Sequence, residues 1–141
     1  MATKEVQYEI PMWELSFEAG ETLTAHKYKP LYGSAEGKVR LMTAKDLSQK
    51  FIGFMSSGDV SGNTTISSGD FVKVMVYGIT KVIAGGSFSA FDYLTVVDSQ
   101  GRLDTAADNE VVIAMALEAA SAINHVVSAL ILHCPIKGDN T

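Results

Sequence analysis

Cysteine is nearly absent from this chain: Cys134 is the only one in 141 residues. A lone thiol closes no intramolecular disulfide and builds no cysteine-based metal cluster, so core packing must hold the fold. That suits a reducing compartment, or a particle assembled in one. Charge is sparse at 19%, and basic residues are the minority, 11 Lys and Arg against 16 Asp and Glu, for a net charge of −5. With no basic surplus to neutralise phosphates, general nucleic-acid binding is excluded. Long apolar runs are also missing. The longest, around Val111–Leu117 and Val126–His133, are too short to cross a bilayer. The first ten residues contain no apolar core of a signal peptide, so neither secretion by that route nor a membrane is expected. Hydrophobic residues at 47% nevertheless mark a globular chain of one-domain size.

Catalytic groupings are lacking as well. The histidines are His26, His125 and His133. On an extended strand the last two would sit about 26 Å apart, too far to share a metal. His133 and Cys134 are adjacent, so a strand points them to opposite faces, the wrong geometry for a Cys–His pair. Asp104, Asp108 and Glu110 do not have the spacing of a calcium loop and are expected to be a solvated acidic loop. An enzyme built on Asp104 or Asp108 would lack partner groups. Gly85-Gly86-Ser87 has no following helix and no P-loop lysine, so it is expected to be a turn. No Gly-x-Ser-x-Gly elbow occurs. No catalytic, cofactor-binding or metal residues are assigned, and the expectation is a structural or binding protein that is not an enzyme.

What the chain does have is a dense series of β-type segments. Phe71–Gly78 is rich in β-branched and aromatic residues and continues past Gly78 to Ile83. Gly37–Leu41, Phe51–Met55 and Tyr93–Val97 are further strands, separated by turns such as Ser57-Gly58-Asp59 and Asp98-Ser99-Gln100-Gly101. Short, evenly spaced strands between turn residues indicate a sandwich or small barrel. Two segments favour helix locally. Thr43-Ala44-Lys45-Asp46 resembles a capping box, and a single helical turn is expected there. Ala114–Ala120 has high helix propensity, but its neighbours favour strand–turn–strand with the turn at Ser121–Asn124.

Three zones follow: an N-terminal arm (1–25), a β domain (26–134) and a polar tail (135–141) begun by Pro135. In the arm, Trp13, Leu15 and Phe17 alternate with Glu14, Ser16 and Glu18, so an extended strand should place the three apolar side chains on one face. Such a strand either packs back on its own domain as an edge strand or adds to a neighbouring subunit. Ile10, Met12, Trp13, Leu15 and Phe17 are therefore the candidate interface residues, with Trp13 the anchor.

One succession of segments is more specific than any of its parts. It runs Tyr28-Lys29-Pro30-Leu31-Tyr32-Gly33, Gly37-Lys38-Val39, Phe51-Ile52-Gly53-Phe54, Gly69-Asp70-Phe71-Val72-Lys73-Val74 and Gly78-Ile79-Thr80-Lys81-Val82. It continues through Ala84–Leu94, Asp98-Ser99-Gln100-Gly101-Arg102, Ile113–Ser121 and Val126–Leu132. This order resembles the small capsid decoration, or cement, proteins of tailed bacteriophages, over roughly Tyr28 to Leu132. Two positions depart from that pattern. Ile113-Ala114-Met115 stands where Gly-Ile is usual before Ala116-Leu117-Glu118, and Phe91 stands where Gly is common before Asp92. The resemblance implies a compact β-sandwich or β-tulip-like domain on the outer surface of a virion, made in the bacterial host cytoplasm. It implies a major capsid protein as partner, a homotrimer, and no cofactor. A carbohydrate- or ligand-binding β-module is the alternative, with Tyr28, Tyr32, Tyr77 and Tyr93 as stacking residues.

Overall fold

A computed structural model of the chain describes residues 10–46 and 48–134, and every regular element among them is a β-strand. In order these are β1 (Ile10–Glu18), β2 (Pro30–Gly33), β3 (Val39–Leu41), β4 (Lys50–Met55), β5 (Phe71–Ile83), β6 (Tyr93–Val96), β7 (Leu103–Thr105), β8 (Val112–Ala116) and β9 (Val126–Cys134). Eight of them follow the order β3-β2-β4-β5-β9-β8-β6-β7, and β1 joins separately along β5. All named strand pairs are antiparallel.

The thirteen-residue β5 organises this path. Val74 and Met75 pair with Leu15 and Glu14 of β1 and also with Met55 and Phe54 of β4. Further on, Ile79 pairs with Ile10 of β1 and with Leu130 of β9. A strand has two edges, and β1 lies along one of them at both places. The strands β4 and β9 therefore succeed one another along the other edge. Between the two stretches sits Gly78, with φ of 125°, a backbone conformation open to glycine and little else.

Two hydrophobic clusters result. One gathers Ala19, Leu23, Leu31, Val39, Leu41, Met55, Ile66, Val72, Val74 and Val76. The other gathers residues of β6, β8 and β9, such as Leu94, Ile113, Ala116, Val127 and Ile131, together with Phe54, Met75 and Val82. Successive strand residues point to opposite faces, so Val74 and Met75 serve different clusters. Single parallel bridges, Ala19 to Val39 and Ala84 to Leu103, bring each outer strand back toward the chain that follows β1 or β5.

The segment 10–25 is built into this arrangement. Its strand lies on β5 of the same chain, and the residues just after it are core: Ala19 and Leu23 are fully buried. Glu18 holds Lys38 at 2.9 Å, and Glu21 accepts the Leu41 amide at 3.0 Å, so both carboxylates tie the segment to β3 and its flank.

Local expectations fare unevenly. Ala114–Ala120 does not form a helix; β8 pairs with β6 on one edge and β9 on the other, and Ser121–Asn124 lies in the turn region before β9. Pairing on both edges outweighs propensity here. The expected helical turn at Thr43–Asp46 does not form. The Gln49 side-chain oxygen instead accepts the Thr43 and Ala44 amides at 2.7 and 2.9 Å, while Asp46 accepts the Ser48 amide at 2.8 Å. Side chains that satisfy the backbone locally compete with helix. The strand β7 was not anticipated, being three residues with Asp104 at its centre.

Phe91 adopts φ of 70° while donating its amide to Ala116 O at 2.7 Å, and its side chain is 67% exposed. The left-handed conformation costs an L-residue about 1–2 kcal/mol, and glycine avoids most of it. This is the position at which the decoration-protein pattern commonly carries glycine. Phe91→Gly should therefore raise unfolding free energy by about 0.5–1 kcal/mol, part of the gain being lost to a more flexible unfolded chain. Urea unfolding of the variant measures it, and a loss of stability would show that the Phe91 ring has a packing role.

Candidate surface for partner binding

The first strand is paired along β5, and no other named strand pairs with it. Such an edge leaves backbone donors and acceptors available to another strand. Its register is irregular. Pro11 is opposite Gly78 and Trp13 opposite Tyr77, so Met12 is an extra residue on β1; Glu14 is then opposite Met75, which makes Val76 the extra residue on β5. Paired bulges of this kind turn side chains away from strict alternation.

The consequence overturns the expected single apolar face. Leu15 and Phe17 lie opposite Val74 and Val72, and Phe17 packs on the cluster that contains those valines. Trp13 instead lies opposite Tyr77, three residues from Val74, and meets its ring edge-on with centroids 5.1 Å apart. From there a row of rings runs inward. Tyr77 contacts His133 at 5.1 Å, His133 contacts Phe51 at 5.1 Å, and Phe51 contacts the fully buried Phe54 at 5.4 Å. His133 Nε2 lies 2.7 Å from Val76 O. A carbonyl only accepts, so Nε2 carries the proton and the ring is locked where β4 gives way to β9 along β5.

The outer end of this row faces water. Trp13 is 63% exposed and Tyr77 45%; Met12, next to Trp13, is 72% exposed, and Leu15, on the Val74 side of the strand, is 51% exposed. The register places Ile10 opposite Ile79. A second apolar row crosses four strands from there: Ile79 is opposite Leu130, Leu130 opposite Met115, and Met115 opposite Tyr93. Directly opposed residues share a face, and none of these four is buried. The sheet thus presents uncharged side chains from β5 to β6 on a side where soluble antiparallel sheets usually alternate to polar residues. Of the five candidate interface residues, Met12, Trp13 and Leu15 are exposed and Phe17 is half-buried. Sequence reading missed Ile79, Leu130 and Met115, because their shared face depends on strand order.

The other candidates lie elsewhere. Lys45 pairs with Glu110 at 2.8 Å, and Glu110 also accepts the Ala107 amide at 2.8 Å. Burial alone would raise the Glu110 carboxyl, but these bonds hold it below the usual range. Asp104 accepts the Thr105 amide at 2.7 Å. Among the described residues no group of three or more His, Cys, Asp or Glu is placed to hold a metal ion. No helix among them is long and apolar enough to cross a membrane. Tyr32 packs on the larger cluster and Tyr28 lies beneath two lysines, so the four tyrosines do not form one stacking platform.

No protein-family model matches the chain, and no curated protein matches it by sequence. A solved structure does match in fold: the N base of head fiber gp8.5 of bacteriophage phi29. The likeness has a TM-score of 0.55 at 19% identity, and covers 89% of this chain and 98% of that one.

The geometry separates Trp13 from the core. Leu23→Ala should cost about 2–5 kcal/mol, as buried leucine truncations do. Trp13→Ala, losing mainly an edge-on contact with Tyr77, should cost no more than about 1.5 kcal/mol. Chemical denaturation of both variants tests this; equal losses would make Trp13 a core residue.

Proposed function

We propose that this chain is a structural protein of a tailed-phage head, seated on the outer capsid surface as a decoration or cement protein. The observation that carries this reading is the fold likeness to the phi29 head fiber base, which extends over nearly all of that domain. The ordered segments that resemble decoration proteins agree with it. In this reading the domain is of the β-sandwich or β-tulip kind, made in the host cytoplasm and incorporated into the virion. Its partner is the major capsid protein, met at junctions between subunits, and the protein is a homotrimer.

The physical basis is the apolar surface on β1, β5, β9, β8 and β6. Trp13 is the anchor and Met12 adjoins it in the chain, while Leu15 is exposed on the Val74 side of the strand. Large exposed aromatics dominate interface energies when a partner buries them. The open edge of β1 adds main-chain hydrogen bonds to that contact. A protein that binds the assembled shell and not separated subunits stabilises the shell by mass action. A stable contact buries about 1,600 Å² in total, so the strip needs polar neighbours around its rim.

Heads prepared with and without the protein test the reading. The decorated heads should retain DNA under heat or low-salt stress that empties undecorated ones, and Trp13→Ala should weaken decoration by on the order of 2 kcal/mol. Equal DNA loss with full occupancy would leave a bound protein without a cementing role. Absence of binding to heads would refute the reading.

A further inference from the structure

A second surface has the opposite chemistry. Lys38, Arg40, Lys45 and Arg102 each reach a carboxylate. Lys27, Lys29 and Lys81 form no ion pair among the described residues, and Lys27 and Lys81 meet at one ring. The Lys27 ammonium lies 5.2 Å from the Tyr28 ring centroid, and the Lys81 ammonium 5.9 Å from the same centroid. Lys29 follows directly in the chain, but its stem lies along Gly101; burial, and then the Arg102 guanidinium, press its ammonium below the ordinary lysine range, with Asp98 opposing them. The carboxylates nearby are already engaged. Asp98 binds Arg102 at 2.7 Å and accepts the Gln100 amide at 2.9 Å. Glu118 accepts the amide of Ser128, the residue opposite Lys81, at 2.9 Å. Glu21 is held by Arg40 and the Leu41 amide.

The backbone holds this cluster in an unfavourable conformation. Tyr28 has φ of 71°, a value that bulky residues rarely adopt. Two hydrogen bonds to one strand end fix it there: Tyr28 N to Met55 O at 2.9 Å, and Met55 N to Lys29 O at 3.0 Å. Strained positions of this sort persist where the surroundings over-determine them, and they concentrate at functional sites. The strain sets the ring where the Lys27 and Lys81 ammoniums both lie close to it.

We propose that Lys27 and Lys81, gathered around Tyr28, form a recognition patch for a carboxylate-rich segment of a partner protein. Charge complementarity selects the class of partner. The patch is an unneutralised positive island on a chain of net charge −5. A short acidic segment can dock on such an island. A nucleic acid would have to track phosphates across a surface that repels them. Tyrosine beside cationic groups is well suited to such a contact, having a large rigid ring and a polar tip. The proposal does not depend on the phage-head reading, because it rests on the charges and geometry of this chain alone. It supplies orientation and association rate, which complementary charge controls more than it controls affinity.

The test uses the full chain and a fluorescent oligoglutamate peptide, followed by anisotropy at low salt. The double variant Lys27→Gln/Lys81→Gln should bind at least about tenfold more weakly than the parent. The double variant Lys50→Gln/Lys73→Gln, with the same net charge and both lysines exposed, should stay within about twofold. The thermal midpoint of the Lys50/Lys73 double should match the parent's, and that of the Lys27/Lys81 double should fall by no more than the loss of two partly exposed cation–ring contacts allows, leaving it folded at the assay temperature. Equal weakening in both doubles would reduce the effect to net charge and overturn the proposal. So would the absence of binding by the parent at low salt. Tighter binding of an oligothymidylate of matched charge would also overturn it, in favour of a nucleic-acid surface.

Discussion

The two-edged pairing of β5 is the constraint on which the remaining structure depends. This one strand carries β1 along one edge, and β4 and then β9 along the other. Neither hydrophobic cluster is independent of it, since Val72, Val74 and Val76 enter one while Met75 and Val82 enter the other. The strand must therefore stay extended past the place where its neighbour changes, and Gly78 provides the backbone freedom there. The row from Trp13 to Phe54 passes through the same place, so the side chains that fill the gap between β4 and β9 also connect the core to the surface.

That connection explains how an edge strand with mostly exposed side chains is held. Eight register pairs along β5, Ala19 and Leu23 in the core, and the Glu18–Lys38 pair fix β1 while leaving Met12, Trp13 and Leu15 in water. Fixed, exposed apolar residues are a better binding surface than a free arm carrying the same residues, because less conformational entropy is lost on docking. The positive patch around Tyr28 and the apolar strip share β5 through Lys81 and Ile79, two residues apart. A partner meeting both would be oriented by charge and retained by apolar contact.

Much of the architecture was legible in the sequence. The β-branched run Phe71–Ile83 read as a strand and is one, and the sequence pattern gave β4, β6 and the β8–β9 pair close to their observed positions. The failures share a cause. Alternation in β1 predicted one apolar face, but Met12 and Val76 are extra residues in a shared ladder, and no single strand's sequence reveals a bulge that depends on its partner. Ala114–Ala120 is the opposite case: its helix propensity yields to the strand–turn–strand that its neighbours indicate, because β8 pairs on both edges. Gln49 could not be seen to hold Thr43 and Ala44, since that bond requires the loop to close first. The candidate surface was half visible: Met12, Trp13 and Leu15 stood out by pattern, whereas Ile79, Leu130, Met115 and Tyr93 become one row only through the strand order.

In the proposed function, the exposed apolar residues of β1 and β5 meet the capsid. Hydrogen exchange of the protein alone and bound to heads measures it directly. Binding through this surface should slow exchange in residues 10–18, with little change around β7 and the 107–110 loop. Unchanged exchange across residues 10–18 in protein shown to be bound, with protection confined to β7 and that loop, would contradict it.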